Sequence, residues 1–127
     1  MTGVAGIVIG AILIAAIAQS AAPSTDTTLT NGVPTVHMNA DNFDKSSITI
    51  SKGSKLLLVD DVPVLHILAN GSWQQSVPKP KQEPGAPIIK NVQVNGNSVE
   101  LGPFATAGTY HIYCTVHQGM TLMVIVQ

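Results

Sequence analysis

The sequence predicts an all-β domain, a β-sandwich or a small barrel, preceded by an apolar N-terminal helix. Three observations carry this prediction. Short β-rich runs separated by turn residues recur after residue 32, and no stretch there keeps a helical period over ten residues. A proline-rich connection interrupts these runs once, as the crossovers of such sandwiches require. The chain has 127 residues, which suits one domain.

The N-terminal segment stands apart from the predicted sandwich. Residues 3–18 read GVAGIVIGAILIAAIA, an unbroken apolar run without the amphipathic period of a buried helix in a globular domain. Residues 1–22 therefore form either a signal peptide with small residues at its cleavage site or an uncleaved membrane anchor. No Lys or Arg precedes the run, so charge predicts no orientation. We expect an exported protein, periplasmic or at the cell surface, and leave open a membrane tether through residues 3–18.

The next residues predict a linker and then eight strands. Residues 23–32 read PSTDTTLTNG, a Ser/Thr-rich composition typical of a linker. The folded domain then spans residues 33–127, which can bury one modest core. Its predicted strands are bounded by turn residues such as Asn-Gly and Lys-Gly; they are Pro34–Met38, Ser47–Ser51, Lys55–Val59, Val64–Ala69, Ile88–Val94, Ser98–Leu101, Gly108–Cys114 and Thr121–Val126. Residues 72–87 contain four prolines, too many for a paired strand, and predict a long loop or crossover.

Composition excludes several classes of function. Six lysines, no arginine and seven acidic residues give a formal charge of −1, which argues against a nucleic-acid-binding protein. The single cysteine excludes an intramolecular disulfide.

The stretch between the last two strands carries the chemistry. It reads GTYHIYCTVHQGM and places Cys114, His117 and Met120 at C-x2-H-x2-M spacing. A thiolate, an imidazole and a thioether suit copper better than magnesium or calcium. One thiolate and two imidazoles in a plane, with a weak axial Met, form a blue-copper site. The loop therefore predicts one copper ion and needs one more histidine.

His66 is the predicted fourth ligand. His111 lies in a strand in which side chains alternate, so it points away from the face that carries Cys114. His37 lies in the first predicted strand, where an exposed or edge imidazole is expected. His66 lies in the apolar run VPVLHILANG, where a histidine is usually a satisfied core residue, but here it supplies the missing imidazole.

These motifs resemble a known family. The G-T-Y-x-x-Y-C and H-Q-G segments are similar to plastocyanin, and the C-x2-H-x2-M spacing is the one seen in amicyanins. Residues 33–127 thus resemble the cupredoxins, the small type 1 blue copper proteins. The resemblance implies a Greek-key β-sandwich. It also implies one-electron transfer rather than enzymatic catalysis, through one type 1 copper ion held by four residues: His66, Cys114, His117 and Met120.

The resemblance also implies how electrons leave the site. His117 would lie near the surface within an apolar ring and meet redox partner proteins; candidates for the ring are Pro63, Pro103, Phe104, Gln118 and Gly119. Trp73 would either cap the site or pack under the long loop. We expect a monomer that binds no nucleic acid.

Two positions depart from the family pattern. Ile67 stands where many cupredoxins have an Asn that supports the thiolate loop, and Asn70, Ser72 or Thr115 are candidates to replace it. Val116 stands where Pro is frequent. Such changes alter hydrogen bonding and solvent access around a metal site.

Three other functions use the same residues. A copper carrier or store would exchange metal instead of electrons, although the chain lacks Met-rich or His-rich tracts. A Cys–His thiol enzyme would pair Cys114 with His117 but would leave Met120 without a role. A structural zinc site would accept Cys and two His, but Met is a poor fourth ligand for zinc.

Overall fold

The computed structural model describes residues 27–127 and arranges them in ten β-strands with no helix in that range. The strands are β1 (Thr28–Thr30), β2 (Val33–Met38), β3 (Ser47–Ile50), β4 (Leu56–Asp60), β5 (His66–Gln74), β6 (Val77–Pro80), β7 (Val92–Val94), β8 (Ser98–Leu101), β9 (Gly108–Cys114) and β10 (Thr121–Val126). The predicted N-terminal helix and the signal or anchor segment 1–22 lie outside the described residues. Within residues 27–127, no helix is long and apolar enough to span a bilayer.

Two mixed sheets form the domain, and the prediction of an all-β sandwich is confirmed. One sheet has the order β1-β2-β4-β8, and the other has the order β3-β10-β9-β5-β6, with β7 also paired to β5. The pairs β2–β4 and β3–β10 are parallel, while the remaining strand pairs are antiparallel. Strand β3 follows β2 in the chain but lies in the opposite sheet, so the connections cross between the layers.

Alternating side chains build the core between the sheets. In β4 and β10 every second residue is buried, the pattern of a strand with one face on a core. Both sheets contribute to one apolar cluster that includes Val36, Leu58, Ile112, Leu122 and Phe104, all nearly or fully buried. Asp60 lies on the buried face of β4, because it shares the strand parity of Leu56 and Leu58.

The long connection contains a strand, so the prediction of a loop over residues 72–87 is wrong in part. Strand β5 continues to Gln74 and turns back into β6, whose register pairs Trp73 with Pro78 and Gly71 with Pro80. These prolines are two residues apart, so their missing N–H groups fall on the same side of β6. An edge strand has one side without a neighbour and tolerates this.

Strand β1 lies inside the stretch 23–32 that we expected to act as a linker. It pairs antiparallel with β2 at the edge of the first sheet, and its three side chains are exposed. The strand therefore extends the sheet without adding to the core.

Candidate metal centre

Strand pairing brings the predicted ligands together. His66 is the first residue of β5 and Cys114 is the last residue of β9, and these antiparallel strands pair with Leu68 opposite Cys114. The turn between β9 and β10 holds His117 and Met120. The turn is tight because Cys114 N–H donates to the Met120 carbonyl at 3.0 Å and Met120 N–H donates to the His117 carbonyl at 3.1 Å.

Three donor side chains converge at this end of the sandwich. One ligand atom each from His66, Cys114 and His117 lies within 4.8 Å of the other two. The Cys114 Sγ atom is 3.3 Å from His117 Nδ1, and the two imidazole ring centroids are 4.8 Å apart. His66 and Cys114 are fully buried, whereas His117 is half-buried and reaches solvent. A soft sulfur and two imidazoles thus share one small, mostly dry space.

One nitrogen of His66 has no partner. Its Nε2 atom is 2.9 Å from the Asn39 carbonyl oxygen, which can only accept, so Nε2 carries the hydrogen. Its Nδ1 atom is buried and makes no hydrogen bond among residues 27–127. An unpaired buried nitrogen is costly unless a ligand uses its lone pair. This orphaned acceptor fits a metal ion bound through Nδ1.

Electrostatics also keep the His66 ring neutral. Burial is the largest influence and lowers the pKa of His66 below its ordinary value. The hydrogen bond to Asn39 and the negative charge of Asp60 act in the opposite direction but more weakly. A neutral imidazole is the form that binds metals.

Met120 belongs to the same turn as the other two loop ligands. It is fully buried, and its backbone bonds both Cys114 and His117. A thioether at this place completes a donor set of one thiolate, two imidazoles and one soft sulfur, which suits copper.

The other two histidines lie away from this cluster. His111 faces the opposite side of β9, as strand parity predicts, and its Nδ1 atom is 2.6 Å from Glu83 Oε2. His37 is partly exposed, and its Nδ1 atom is 2.9 Å from Asp61 Oδ1. Carboxylate partners therefore orient both rings elsewhere.

Backbone groups and Trp73 support the end of the strand that carries Cys114. Thr115 N–H donates to the carbonyl of Ile67 at 2.8 Å. Ile67 therefore holds the ligand loop through its main chain. Trp73 Nε1–H donates to the Cys114 carbonyl at 2.8 Å. The ring of Trp73 meets Tyr113 edge-on, at 6.1 Å between ring centroids. Trp73 thus fixes Cys114 from the outer face of the sheet.

Asn70 has a different task from the one considered for it. Its side-chain nitrogen donates to the Pro87 carbonyl at 3.0 Å, and its side-chain oxygen accepts from Ile89 N–H at 2.7 Å. It therefore ties the connection before β7 onto β5 and makes no side-chain bond to the ligand loop.

Sequence reasoning missed Asp60 and Asn39. Asp60 ends β4, six residues before His66, whereas Asn39 lies 27 residues before it. The signal for Asp60 was present, because alternation along Leu56, Leu58 and Asp60 places its side chain on the core face. Nothing in the sequence marks the Asn39 carbonyl, since any residue offers a backbone oxygen.

Comparison with solved structures shows that the fold is similar to that of amicyanins. No family model matches the chain, and no curated protein sequence matches it. Among solved structures, amicyanin from Paracoccus versutus (Thiobacillus versutus) superposes with a TM-score of 0.59 at 19% identity, covering 78% of this chain and 85% of that one. An oxidized amicyanin mutant gives 0.56 at 17% identity, covering 89% and 88%. The Cu(I) form of another mutant gives 0.53 at 16% identity, covering 83% and 95%. The described residues thus share the fold of these amicyanins.

Proposed function

We propose that this protein transfers single electrons through one type 1 copper ion held by His66, Cys114, His117 and Met120. The observation that carries the proposal is the convergence of a buried thiol and two imidazole donors within 4.8 Å, one imidazole offering an orphaned Nδ1. Bound copper would supply a one-electron couple between Cu(I) and Cu(II). The Cu(I) form of an amicyanin of the same fold supports this choice of metal.

Each residue has a separate part in holding the ion. Cys114 would bind as a thiolate, losing its proton to solvent as the metal enters. His66 is already neutral and oriented by Asn39, so it needs little rearrangement. Met120 would supply a weak thioether donor. Because tight packing fixes three of the four residues, the site would keep nearly the same shape in both oxidation states.

The half-buried His117 is the residue through which we propose that electrons enter and leave the site. Apolar residues next to two ligands are unusually exposed: Leu65, which precedes His66, is 40% exposed, and Val116, which precedes His117, is 51% exposed. Such a surface suits brief contact with a redox partner protein, because two apolar surfaces can associate without complementary patterns of charge. We infer that donor and acceptor meet the protein here, outside the cytoplasm, after export directed by residues 1–22.

A visible absorption spectrum tests the proposal. Copper-loaded, oxidised protein should show an intense Cys-to-copper charge-transfer band that ascorbate bleaches and an oxidant restores. Cys114→Ser should abolish the band, and His66→Ala should weaken or shift it.

The control replaces a histidine outside the cluster. His111→Ala removes an imidazole that contacts Glu83 and should leave the band unchanged. Copper binding without a charge-transfer band would contradict electron transfer and favour a copper carrier, whereas tighter binding of zinc without colour would favour a structural zinc site.

A further inference from the structure

A buried carboxylate lies behind the predicted ligand His66. The side chain of Asp60 is fully buried, and its Oδ1 atom is 3.6 Å from His66 Nε2, on the ring edge opposite Nδ1. His66 is the only basic side chain within 4.0 Å of this carboxylate among residues 27–127. The negative charge of Asp60 therefore has no compensating Lys or Arg close to it.

Backbone N–H groups approach both oxygens of the Asp60 carboxylate. Gly96 N–H donates to Oδ2 at 2.8 Å, and Val62 N–H approaches Oδ1 at 3.4 Å. Hydrogen bonds from N–H groups favour an ionised carboxylate. An Asn side chain has the same shape and could accept from Gly96 without the desolvation cost of a buried charge. Packing and the hydrogen bond from Gly96 therefore do not by themselves require Asp at this position.

Orientation of the His66 ring does not explain the presence of the Asp60 carboxylate either. The Asn39 carbonyl already fixes the hydrogen on Nε2 at 2.9 Å, and 3.6 Å is too long for Asp60 to make a second good hydrogen bond. What Asp60 adds is an electric field along the imidazole, directed at the place where a metal would bind. In a dry interior a field of this kind is screened little.

We propose that Asp60 is a positioning residue that acts through His66 to favour the oxidised state of the bound metal and so lowers its reduction potential. This inference rests on the proposed copper function. A fixed negative charge stabilises the more positive ion more strongly, so it lowers the affinity for Cu(I) relative to Cu(II). Asp41, an exposed residue, raises the pKa of His66 as Asp60 does, but more weakly.

The test compares two neighbouring aspartates. Asp60→Asn should change the ratio of Cu(II) to Cu(I) affinity about tenfold or more in favour of Cu(I), a rise in reduction potential of about 59 mV per tenfold for one electron. Asp61→Asn is the matched control. The Asp61 carboxyl is 54% exposed and bonds His37, so its removal should change the ratio less than about threefold.

A second variant and a measurement on copper-free protein separate the effect of the lost charge from the effect of a structural change. Asp60→Ser removes the same charge, offers an acceptor to Gly96 and should shift the potential in the same direction. In copper-free protein, nitrogen NMR of the His66 ring should show hydrogen on Nε2 in both the native and the Asp60→Asn forms, because Asn39 holds it.

The possible results are distinct. An unchanged potential in Asp60→Asn with the charge-transfer band intact would overturn this inference alone, and so would an equal shift in Asp61→Asn. A change of His66 tautomer in Asp60→Asn would also overturn it, because Asp60 would then act by orienting the ring. Absence of the band in the native protein would overturn the proposed function and this inference together.

Discussion

At the scale of the residue, the two buried ring nitrogens of His66 differ in their hydrogen bonding. Asn39 occupies Nε2, while Nδ1 has no partner among the described residues. A charged ring in this place would need a second acceptor for its Nδ1–H. The buried site therefore favours the neutral ring, and this preference couples folding to pH.

Copper-free protein should lose stability as the pH falls below about 6.5, the ordinary histidine value. Burial lowers the pKa of His66 in the folded state, so below that pH the unfolded chain binds the extra proton first. Stability is thus complete above the unfolded pKa and declines until the folded pKa is reached. Thermal unfolding of copper-free protein between pH 7.5 and pH 5 measures the effect.

The control for this pH dependence is His66→Gln. Glutamine cannot bind the proton, so the decline of the melting temperature over the same interval should become shallower. An equally steep decline in His66→Gln would assign the pH dependence to other groups.

At the scale of the element, the β5–β6 hairpin depends on close approach of two backbones. Gly71 has φ of +135°, and a Cβ atom built there would lie 2.4 Å from the Lys79 carbonyl oxygen in β6. Backbone atoms of an adjacent strand cannot move aside as the end of a flexible side chain can. The same hairpin carries Trp73, which bonds the Cys114 carbonyl.

Gly71→Ala should therefore destabilise the domain by about 2 to 4 kcal/mol, since it combines strain at positive φ with overlap. Gly53→Ala is the matched control, because Gly53 also has positive φ but a Cβ there meets nothing within 4 Å. We expect it to cost about 1 kcal/mol. Urea denaturation of both variants measures the difference, and equal losses would contradict the predicted overlap.

Elements with a clear period of two were predictable from sequence, and edge elements were not. Strands β9 and β10 match their predicted bounds; buried and less buried residues alternate along all of β10 and from Thr109 to Ile112 in β9. Strand β6 was missed because its prolines argue against pairing, and an edge position cannot be recognised before the sheet is known. The ligand loop was predictable because three donors lie within seven residues. Asp60 was missed although alternation along β4 places it on the core face, whereas Asn39 was missed because its contact with His66 is made by a backbone oxygen 27 residues away.

At the scale of the whole molecule, the predicted ligands join two strands of one sheet and also reach the loop after β2. His66 is on β5, Cys114 ends β9, and Asn39 follows β2 in the other sheet. A metal ion at this place would fasten segments that are distant in sequence. Binding to the folded state alone raises stability by mass action.

Copper should therefore raise the melting temperature. At free metal about 100 times the dissociation constant, the gain is about 2.7 kcal/mol. For a domain of about 100 residues this is roughly 10 to 20 °C. Differential scanning calorimetry with Cu(I) under reducing conditions measures the shift. Cys114→Ser should lose most of it, and an equal shift in that variant would place the metal elsewhere.

The parallel pairing of β3 with β10 sets when this site can assemble. Ser47 lies opposite Met123, so the edge of the second sheet joins an early strand to the last strand. Contacts between residues so far apart in sequence form slowly. Among the described strands, β3 pairs only with β10, so during synthesis it stays unpaired until β10 emerges. Until then, the turn that holds His117 and Met120 is not followed by a paired strand. Capture of copper by the proposed site would therefore follow the pairing of β10 with β9 and β3.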